Sequence, residues 1–161
     1  MVRGFVTDSS ASAGVRLAAD LPEPEPADGE LVVEVRAFAI NRGELSLLEQ
    51  RPDGWRPGQD VAGVVNRTAA DGSGPRKGAR VVGIVDGASW AERVAVPVHR
   101  VASLPDGVDF SSAASLPIAG LTALRPCASA GRSSAAGSSS PEPREGSGSS
   151  PCSSRPRAAR G

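Results

Sequence analysis

Apolar side chains stop abruptly at residue 126, and this boundary limits what the chain can fold into. Residues 126–161 contain only Ser, Ala, Gly, Pro, Arg, Glu and Cys. Such a segment buries too little apolar surface to offset an ordering cost of roughly 1–2 kcal/mol per residue. We therefore expect one folded domain over residues 1–125, followed by a disordered Ser/Gly/Pro/Arg-rich tail over residues 126–161.

The composition argues against several classes of partner. The formal net charge is zero, so the chain offers no strongly basic surface for nucleic acid or an anionic membrane. No apolar run approaches the roughly 18 residues that span a bilayer, and the N-terminus lacks an apolar signal core. Both cysteines, Cys127 and Cys152, lie in the tail and form neither a disulfide framework nor a metal-ligand pattern. These features predict a cytoplasmic protein with no nucleic-acid or membrane partner.

Short β-branched segments separated by Gly and Pro turns fill the first 125 residues. They predict strands at 2–7, 15–19, 31–40, 61–66, 79–85, 90–98 and 101–104. A short helix is expected from Glu44 to Gln50, with Leu45, Leu47 and Leu48 facing inward, and another after Asp109 as N-cap. This pattern is typical of an antiparallel β-barrel or sandwich.

Several short phrases occur in a fixed order along this region. They are AINRGE at 39–44, PGQDVAGVV at 57–65, KGARVVG at 77–83, GASWAERVAVP at 87–97, LPD at 104–106, AASLP at 113–117 and GLTA at 120–123. Their order resembles the GroES-like (alcohol dehydrogenase-like N-terminal) domain of the medium-chain dehydrogenase/reductase superfamily, on its zinc-independent, quinone-oxidoreductase-like side. The resemblance covers about the first three quarters of the chain. It implies a mainly β fold, a GroES-like partial β-barrel with short helices, which lacks the closing elements that return after the family's nucleotide-binding part.

The resemblance also implies which ligands are missing. Zinc-dependent members have Cys where this chain has Asn41, a hydroxyl residue at Gly43, and a His-Glu pair at Gln59-Asp60. Catalytic zinc needs three protein ligands, usually Cys, His or carboxylate, and an open position. Because the thiolate and the imidazole are both absent, we expect no metal site. The single histidine, His99, is interpreted as a surface residue at a strand end.

Zinc-free members of the family transfer a hydride from NADPH to a small-molecule quinone, enone or aldehyde-type substrate. The family's asparagine at the Asn41 position lies near the nicotinamide, and its threonine at the Thr122 position lies on the cofactor side. An amide and a hydroxyl can both serve the neutral carboxamide ring. Asn41 and Thr122 are therefore the predicted cofactor-binding residues. Catalytic residues stay unassigned, because the family often places a Tyr near the substrate and this chain has none.

Structural roles compete with these assignments. Asn41 could simply cap a turn, and Thr122 could cap or pack within a helix. Glu44 and Asp60 could pair for acid/base chemistry, although solvated or turn-bonding roles are favoured for both. The substrate, the choice between NADH and NADPH, and the oligomeric state stay open.

The tail departs from the family pattern. In relatives, the segment after the Thr122 position leads into a nucleotide-binding βαβ unit with a Gly-rich turn. We interpret the tail as read out of frame. A Ser codon TCN implies a neighbouring-frame codon NTC, which encodes Phe, Leu, Ile or Val, so the Ser-rich tail is compatible with apolar segments in that frame. On this interpretation the chain is a truncated reductase that binds NADP(H) poorly or not at all and is inactive alone. The alternative is a non-catalytic GroES-like binding module with a genuine disordered interaction tail.

Overall fold

A computed structural model describes residues 1–135, with side chains described for residues 1–126. The strands within it are β1 (Val2–Thr7), β2 (Val15–Leu21), β3 (Glu30–Ala37), β4 (Asp60–Arg67), β5 (Arg80–Ile84), β6 (Arg93–Pro97) and β7 (Val101–Ser103). The helices are α1 (Arg42–Gln50), α2 (Phe110–Ala114) and α3 (Pro117–Ala135), with a 3-10 turn at Val98–Arg100. All seven predicted strands are present, and Asp109 caps α2 as expected by accepting a hydrogen bond from the Ser112 N–H.

The strands form one curled antiparallel sheet and a separate hairpin. The sheet has the order β6-β3-β4-β5-β7, and β1 pairs with β2. An isolated antiparallel bridge between Gly4 and Ala91 connects the hairpin to the segment before β6. β3 is rich in β-branched residues and lies between β4 and β6. This architecture confirms the predicted mainly β partial barrel with short helices.

The core lies on both faces of β4. One cluster of fully buried side chains consists of Leu31, Val33, Val61, Val65, Val81, Val85, Val94 and Val96. A second, smaller cluster packs Ala62 against Ala113 and Ala114 of α2. Because successive side chains in a strand point to opposite faces, Val61 and Ala62 enter different clusters. The beginning of β4 is therefore covered on both sides, and Asp60 is buried with it.

Two strand boundaries differ from the sequence prediction by three residues each, and the other boundaries differ by at most two. β3 ends at Ala37 rather than at residue 40, and Ile40 is 62% exposed. β6 begins at Arg93 rather than at residue 90. The backbone of Trp90 is used elsewhere, because its N–H donates to Pro57 O and its carbonyl accepts from Phe5 N.

Helix α1 also corrects one expectation. In α1, Leu45 is 52% exposed, so the prediction that it faces inward was wrong, and the fully buried residue of that helix is Glu44. Helix α3 continues through Pro126 to Ala135. The remainder of the predicted tail, residues 136–161, lies outside the described residues.

Candidate active site at the junction of three elements

Helices α1 and α3 and strand β4 all begin at one place, and a single carboxylate joins them. Asp60, the first residue of β4, is completely buried. Its Oδ2 accepts a 2.8 Å hydrogen bond from Nδ2 of Asn41, the N-cap residue of α1. Its Oδ1 accepts a 3.0 Å bond from the backbone N–H of Ile118, in the first turn of α3. Three segments that are distant in sequence are therefore fixed to one side chain.

A second buried carboxylate, that of Glu44, fixes the backbone around the same point. Its Oε2 accepts from the N–H of Asn41 at 2.6 Å, and its Oε1 accepts from the N–H of Gln59 at 2.7 Å. The first bond belongs to a capping box, in which the N3 side chain reaches back to the N-cap backbone. These bonds confirm the turn-bonding role that was predicted for Glu44. The alternative prediction, that Glu44 and Asp60 are solvated, is wrong, because both side chains are fully buried.

Burial sets the electrostatics of the two carboxylates. Desolvation raises the pKa of Glu44 above its ordinary value of 4.5, and the N–H bonds from Asn41 and Gln59 oppose that rise. The negative charge of Asp60 adds to it. Desolvation likewise raises the pKa of Asp60 above 3.8, against the bonds from Asn41 and Ile118. The junction is thus a water-poor polar cluster in which N–H donors stabilise the ionised forms.

The loop before β4 is positioned by a close backbone approach. Gly58 has φ of +108°, and a Cβ at this position would lie 2.4 Å from both Ser89 Oγ and Trp90 Cδ1. Only glycine can adopt this conformation and leave space for those atoms. Trp90 in turn stacks on Phe38 at 5.7 Å between ring centroids and donates from Nε1 to Ala39 O at 3.3 Å. The segments that precede Asn41 and Asp60 are therefore held against one indole ring.

An open aromatic cleft lies beside this indole. It has a volume of about 430 Å³, and its walls include Phe5, Phe38 and Trp90. Phe5 meets Trp90 edge-on, with ring centroids 6.5 Å apart. The cleft falls in the size range of small-molecule pockets, which is about 300–1,000 Å³. Sequence analysis did not identify it, because its three aromatic rings come from separate segments.

The structure places the two predicted cofactor residues on adjoining elements. Asn41 is half-buried at the start of α1, and Thr122 is exposed on α3, one turn after Ile118. The Asn41 side chain bonds to Asp60, and Asp60 bonds to the first turn of the helix that carries Thr122. The sequence analysis missed the joining role of Asp60 and the burial of Glu44. The Asn-x-x-Glu capping pattern at 41–44 was the available signal for Glu44.

Metal-binding clusters and membrane-spanning helices are both absent from the described part of the chain. No group of three or more His, Cys, Asp or Glu side chains among those described is placed to hold a metal ion. His99 is exposed in the turn after β6. Among the helices that the structure describes, none combines the length and the apolar character needed to cross a bilayer.

Comparison with known proteins agrees with this architecture. Residues 27–106 match the model of the alcohol dehydrogenase GroES-like domain family. The curled sheet, the capped α1 helix and this match define a GroES-like domain. Quinone oxidoreductases are among the proteins similar to this chain in both sequence and structure. The chain belongs to the medium-chain dehydrogenase/reductase superfamily.

Three relatives illustrate the extent of the similarity. Human synaptic vesicle membrane protein VAT-1 homolog-like is 35% identical over 105 residues, which are 62% of this chain and 25% of that protein. Human quinone oxidoreductase is 31% identical over 120 residues, or 69% of this chain and 36% of that protein. A mycobacterial protein solved in complex with NADPH has a TM-score of 0.68 and 27% identity, covering 76% of this chain and 40% of the other. The chain thus spans about a quarter to a third of these curated relatives.

Proposed function

We propose that this chain is the substrate-side part of a zinc-independent, NADP(H)-dependent oxidoreductase that reduces a small quinone, enone or aldehyde-type substrate in the cytoplasm. The observation that carries the proposal is the position of Asn41, half-buried where three elements begin and bonded to Asp60 at 2.8 Å. The similarity to human quinone oxidoreductase and to a protein solved with NADPH supports it.

The residues at the junction fit a nicotinamide. Asn41 uses one amide hydrogen on Asp60. Its carbonyl oxygen, which faces the backbone N–H of Glu44 in the capping box, has a second lone pair for a ligand. Thr122 is exposed and can offer its hydroxyl group. Both groups are neutral, as suits an uncharged carboxamide. Bound NADP(H) would supply the hydride, while Asn41 and Thr122 would orient the ring.

A catalytic zinc ion does not fit the same place. Asn41 and Gln59 offer amides where zinc-dependent members offer a thiolate and an imidazole. Both oxygens of Asp60 already accept N–H bonds, one from a side chain and one from the backbone. No step of the proposed reaction therefore depends on a metal.

The aromatic cleft suits the substrate class. Phe38 and Trp90 form a stacked pair that shares a wall with Phe5. Planar conjugated molecules stack favourably on such rings. Phe38 lies three residues before Asn41, so the cleft adjoins the segment that would orient the cofactor.

The reading frame of the tail decides whether this chain can act alone. We propose that residues 126–161 are read out of frame and that the nucleotide-binding part is encoded in the neighbouring frame. The test is the nucleotide sequence through the codons for Leu124 to Gly161 and several hundred bases beyond. A neighbouring frame that continues through strand, Gly-rich turn and helix supports the proposal. Stop codons in that frame would favour the binding-module alternative.

The activity itself is tested with the frame-restored protein. We expect NADPH oxidation with a quinone or enone acceptor, unchanged by EDTA. Replacing Asn41 by Ala should lower kcat/KM about tenfold, the effect of losing a positioning hydrogen bond in a buried site. The matched control is Asn66→Ala, which removes the exposed asparagine of β4 and should leave kcat/KM unchanged. Equal effects of the two substitutions would contradict the role of Asn41.

A further inference from the structure

We propose that Asp60 is a positioning residue that fixes the rotation of the Asn41 amide, so that the Asn41 carbonyl oxygen accepts a hydrogen bond from the ligand. The inference deepens the proposed function and rests on it for the identity of the ligand. It assigns a polarity to the site, because the group that meets the Asn41 carbonyl oxygen must be an N–H or O–H donor. The carboxamide NH₂ of a nicotinamide is such a donor.

The orientation follows from the chemistry of the two side chains. An asparagine amide has a donor end and an acceptor end of nearly the same shape, so its neighbours decide how it is turned. The neighbour here is a carboxylate, and an ionised carboxylate only accepts hydrogen bonds. The 2.8 Å contact with Asp60 Oδ2 therefore belongs to Nδ2 of Asn41. Its Oδ1 occupies the other arm of the amide.

The Asp60 side chain is held in place, so it cannot easily rotate away from the Asn41 amide. Its second oxygen is held by the Ile118 N–H at 3.0 Å, and its side chain is 0% exposed. The backbone of Asn41 is fixed separately, since its N–H donates to Glu44 Oε2 at 2.6 Å. The two buried carboxylates thus have separate roles, because Glu44 fixes where Asn41 lies and Asp60 fixes how its amide is turned.

The substitution Asp60→Asn should change the orientation of the Asn41 amide without changing the position of Asn41. An asparagine at 60 has nearly the same volume, and its Oδ1 can still accept from Ile118 N. Its NH₂ group would then face Asn41, which must turn its amide over to avoid two opposed donors. The variant should keep the fold and present the Asn41 NH₂ group, instead of its carbonyl oxygen, to the ligand.

The orientation can be measured without any ligand by NMR on the full ¹⁵N-labelled chain. The sequence contains two asparagines, Asn41 and Asn66, so their side-chain amides can be assigned by substituting one of them. We expect one Asn41 side-chain hydrogen to exchange with solvent at least tenfold more slowly than those of exposed Asn66, because it is bonded to a buried carboxylate. Exchange of Asn41 as fast as that of Asn66 would overturn the proposal, whether or not any variant folds.

Two variants then test whether Asp60 causes the slow exchange of the Asn41 side-chain hydrogen. In Asp60→Asn the slow exchange should be lost while the backbone spectrum remains that of the folded chain. The control Asp20→Asn makes the same chemical change at an exposed carboxylate of β2 and should leave the exchange unaltered. Protection that survives in a folded Asp60→Asn variant would overturn the role of Asp60.

The acceptor role is tested with two cofactors on the frame-restored protein, because the chain itself is expected to bind NADP(H) poorly or not at all. NADP⁺ carries the carboxamide NH₂, whereas its 3-acetylpyridine analogue has a methyl group in that place. We expect NADP⁺ to bind the frame-restored protein about fivefold more tightly than the analogue, the usual effect of one hydrogen bond, and Asp60→Asn to abolish the preference. Equal binding of both cofactors would overturn the acceptor role. Binding of NADP⁺ to the frame-restored protein with no response of the Asn41 side-chain amide would instead overturn the cofactor role of Asn41.

Discussion

Glu44 accepts a 2.7 Å hydrogen bond from the backbone N–H of Gln59, a residue 15 positions further along the chain. This bond connects the first turn of α1 to the loop that leads into β4. With its other oxygen Glu44 accepts from the N–H of Asn41. A buried, charged side chain of a helix therefore acts as a clamp between two backbone segments.

Replacing Glu44 by Gln should destabilise the domain by about 2 kcal/mol, because one of the two N–H donors would face an NH₂ group and lose its acceptor. The measurement is the free energy of unfolding in urea at neutral pH. The control is Glu49→Gln on the exposed side of the same helix, which should change stability by less than about 0.5 kcal/mol. Similar values for the two variants would show that the clamp does not stabilise the fold.

The two buried carboxylates predict a specific dependence of stability on pH. Burial raises the pKa of Glu44 and of Asp60, so the folded state binds more protons than the unfolded state between the ordinary and the raised pKa values. The free energy of unfolding contributed by these groups must therefore fall as pH rises through that window and stay constant above it. The stability advantage of wild type over Glu44→Gln should shrink as pH rises from 4. An advantage that grows with pH would contradict the raised pKa of Glu44.

Exposed Glu23 should act in the opposite direction. Its bonds to Arg93 lower its pKa to about 2, so its contribution is present above pH 4.5 and is lost as pH falls towards 2. Titration of the Glu23 carboxyl carbon by NMR checks this directly. A midpoint at the ordinary glutamate value of 4.5 would show that the ion pair does not persist in solution.

Two glycines near the site should respond oppositely to alanine. Gly58→Ala combines a positive φ with contacts of 2.4 Å to Ser89 and Trp90, and should cost about 2–4 kcal/mol. Gly43 lies in α1, where an added Cβ meets nothing within 4 Å. Gly43→Ala should therefore stabilise the domain by about 0.5–1 kcal/mol through helix propensity. Thermal unfolding of both variants tests the pair, and a stabilising Gly58→Ala would refute the geometry of the loop.

Arg80 should not be replaceable by lysine. Its guanidinium donates to three carbonyl groups in the loop 105–108 and lies over the Phe110 ring at 4.7 Å. Lysine keeps the charge but lacks the planar fork, so Arg80→Lys should lose about 1–3 kcal/mol of stability. Exposed Arg36, which pairs with Glu34, provides the control substitution Arg36→Lys. Equal unfolding midpoints for the two variants would contradict this role.

The strands could be predicted from sequence because their signal is local. Alternating or continuous β-branched residues between Gly and Pro turns mark β3 and β4 without any knowledge of their partners. The predicted strand boundaries were less accurate, because they depend on contacts between residues distant in sequence. Trp90, for example, lies outside β6 because its backbone bonds to Pro57 and Phe5. Exposed Leu45 shows the same limit, because helical spacing alone does not tell which face meets the sheet.

The candidate site was only partly predictable. That Asn41 lies in the turn between a strand and a short helix follows from its neighbours and from the family pattern. The burial of Glu44 and Asp60 does not, because a carboxylate is ordinarily solvated. Their environment depends on N–H groups that the fold brings from Gln59 and Ile118, which no local pattern reveals.

The bond between Asp60 and the Ile118 N–H closes a loop of 58 residues, and this separation has a kinetic consequence. Contacts between distant residues carry a large closure entropy and tend to form after local hairpins and helices. We therefore expect refolding chains to acquire the β1–β2 and β3–β4 pairings before the junction closes. A partly folded chain would contain most of its sheet but not the junction around Asp60. Protection of the Asn41 side-chain amide from solvent exchange would therefore report the completion of folding.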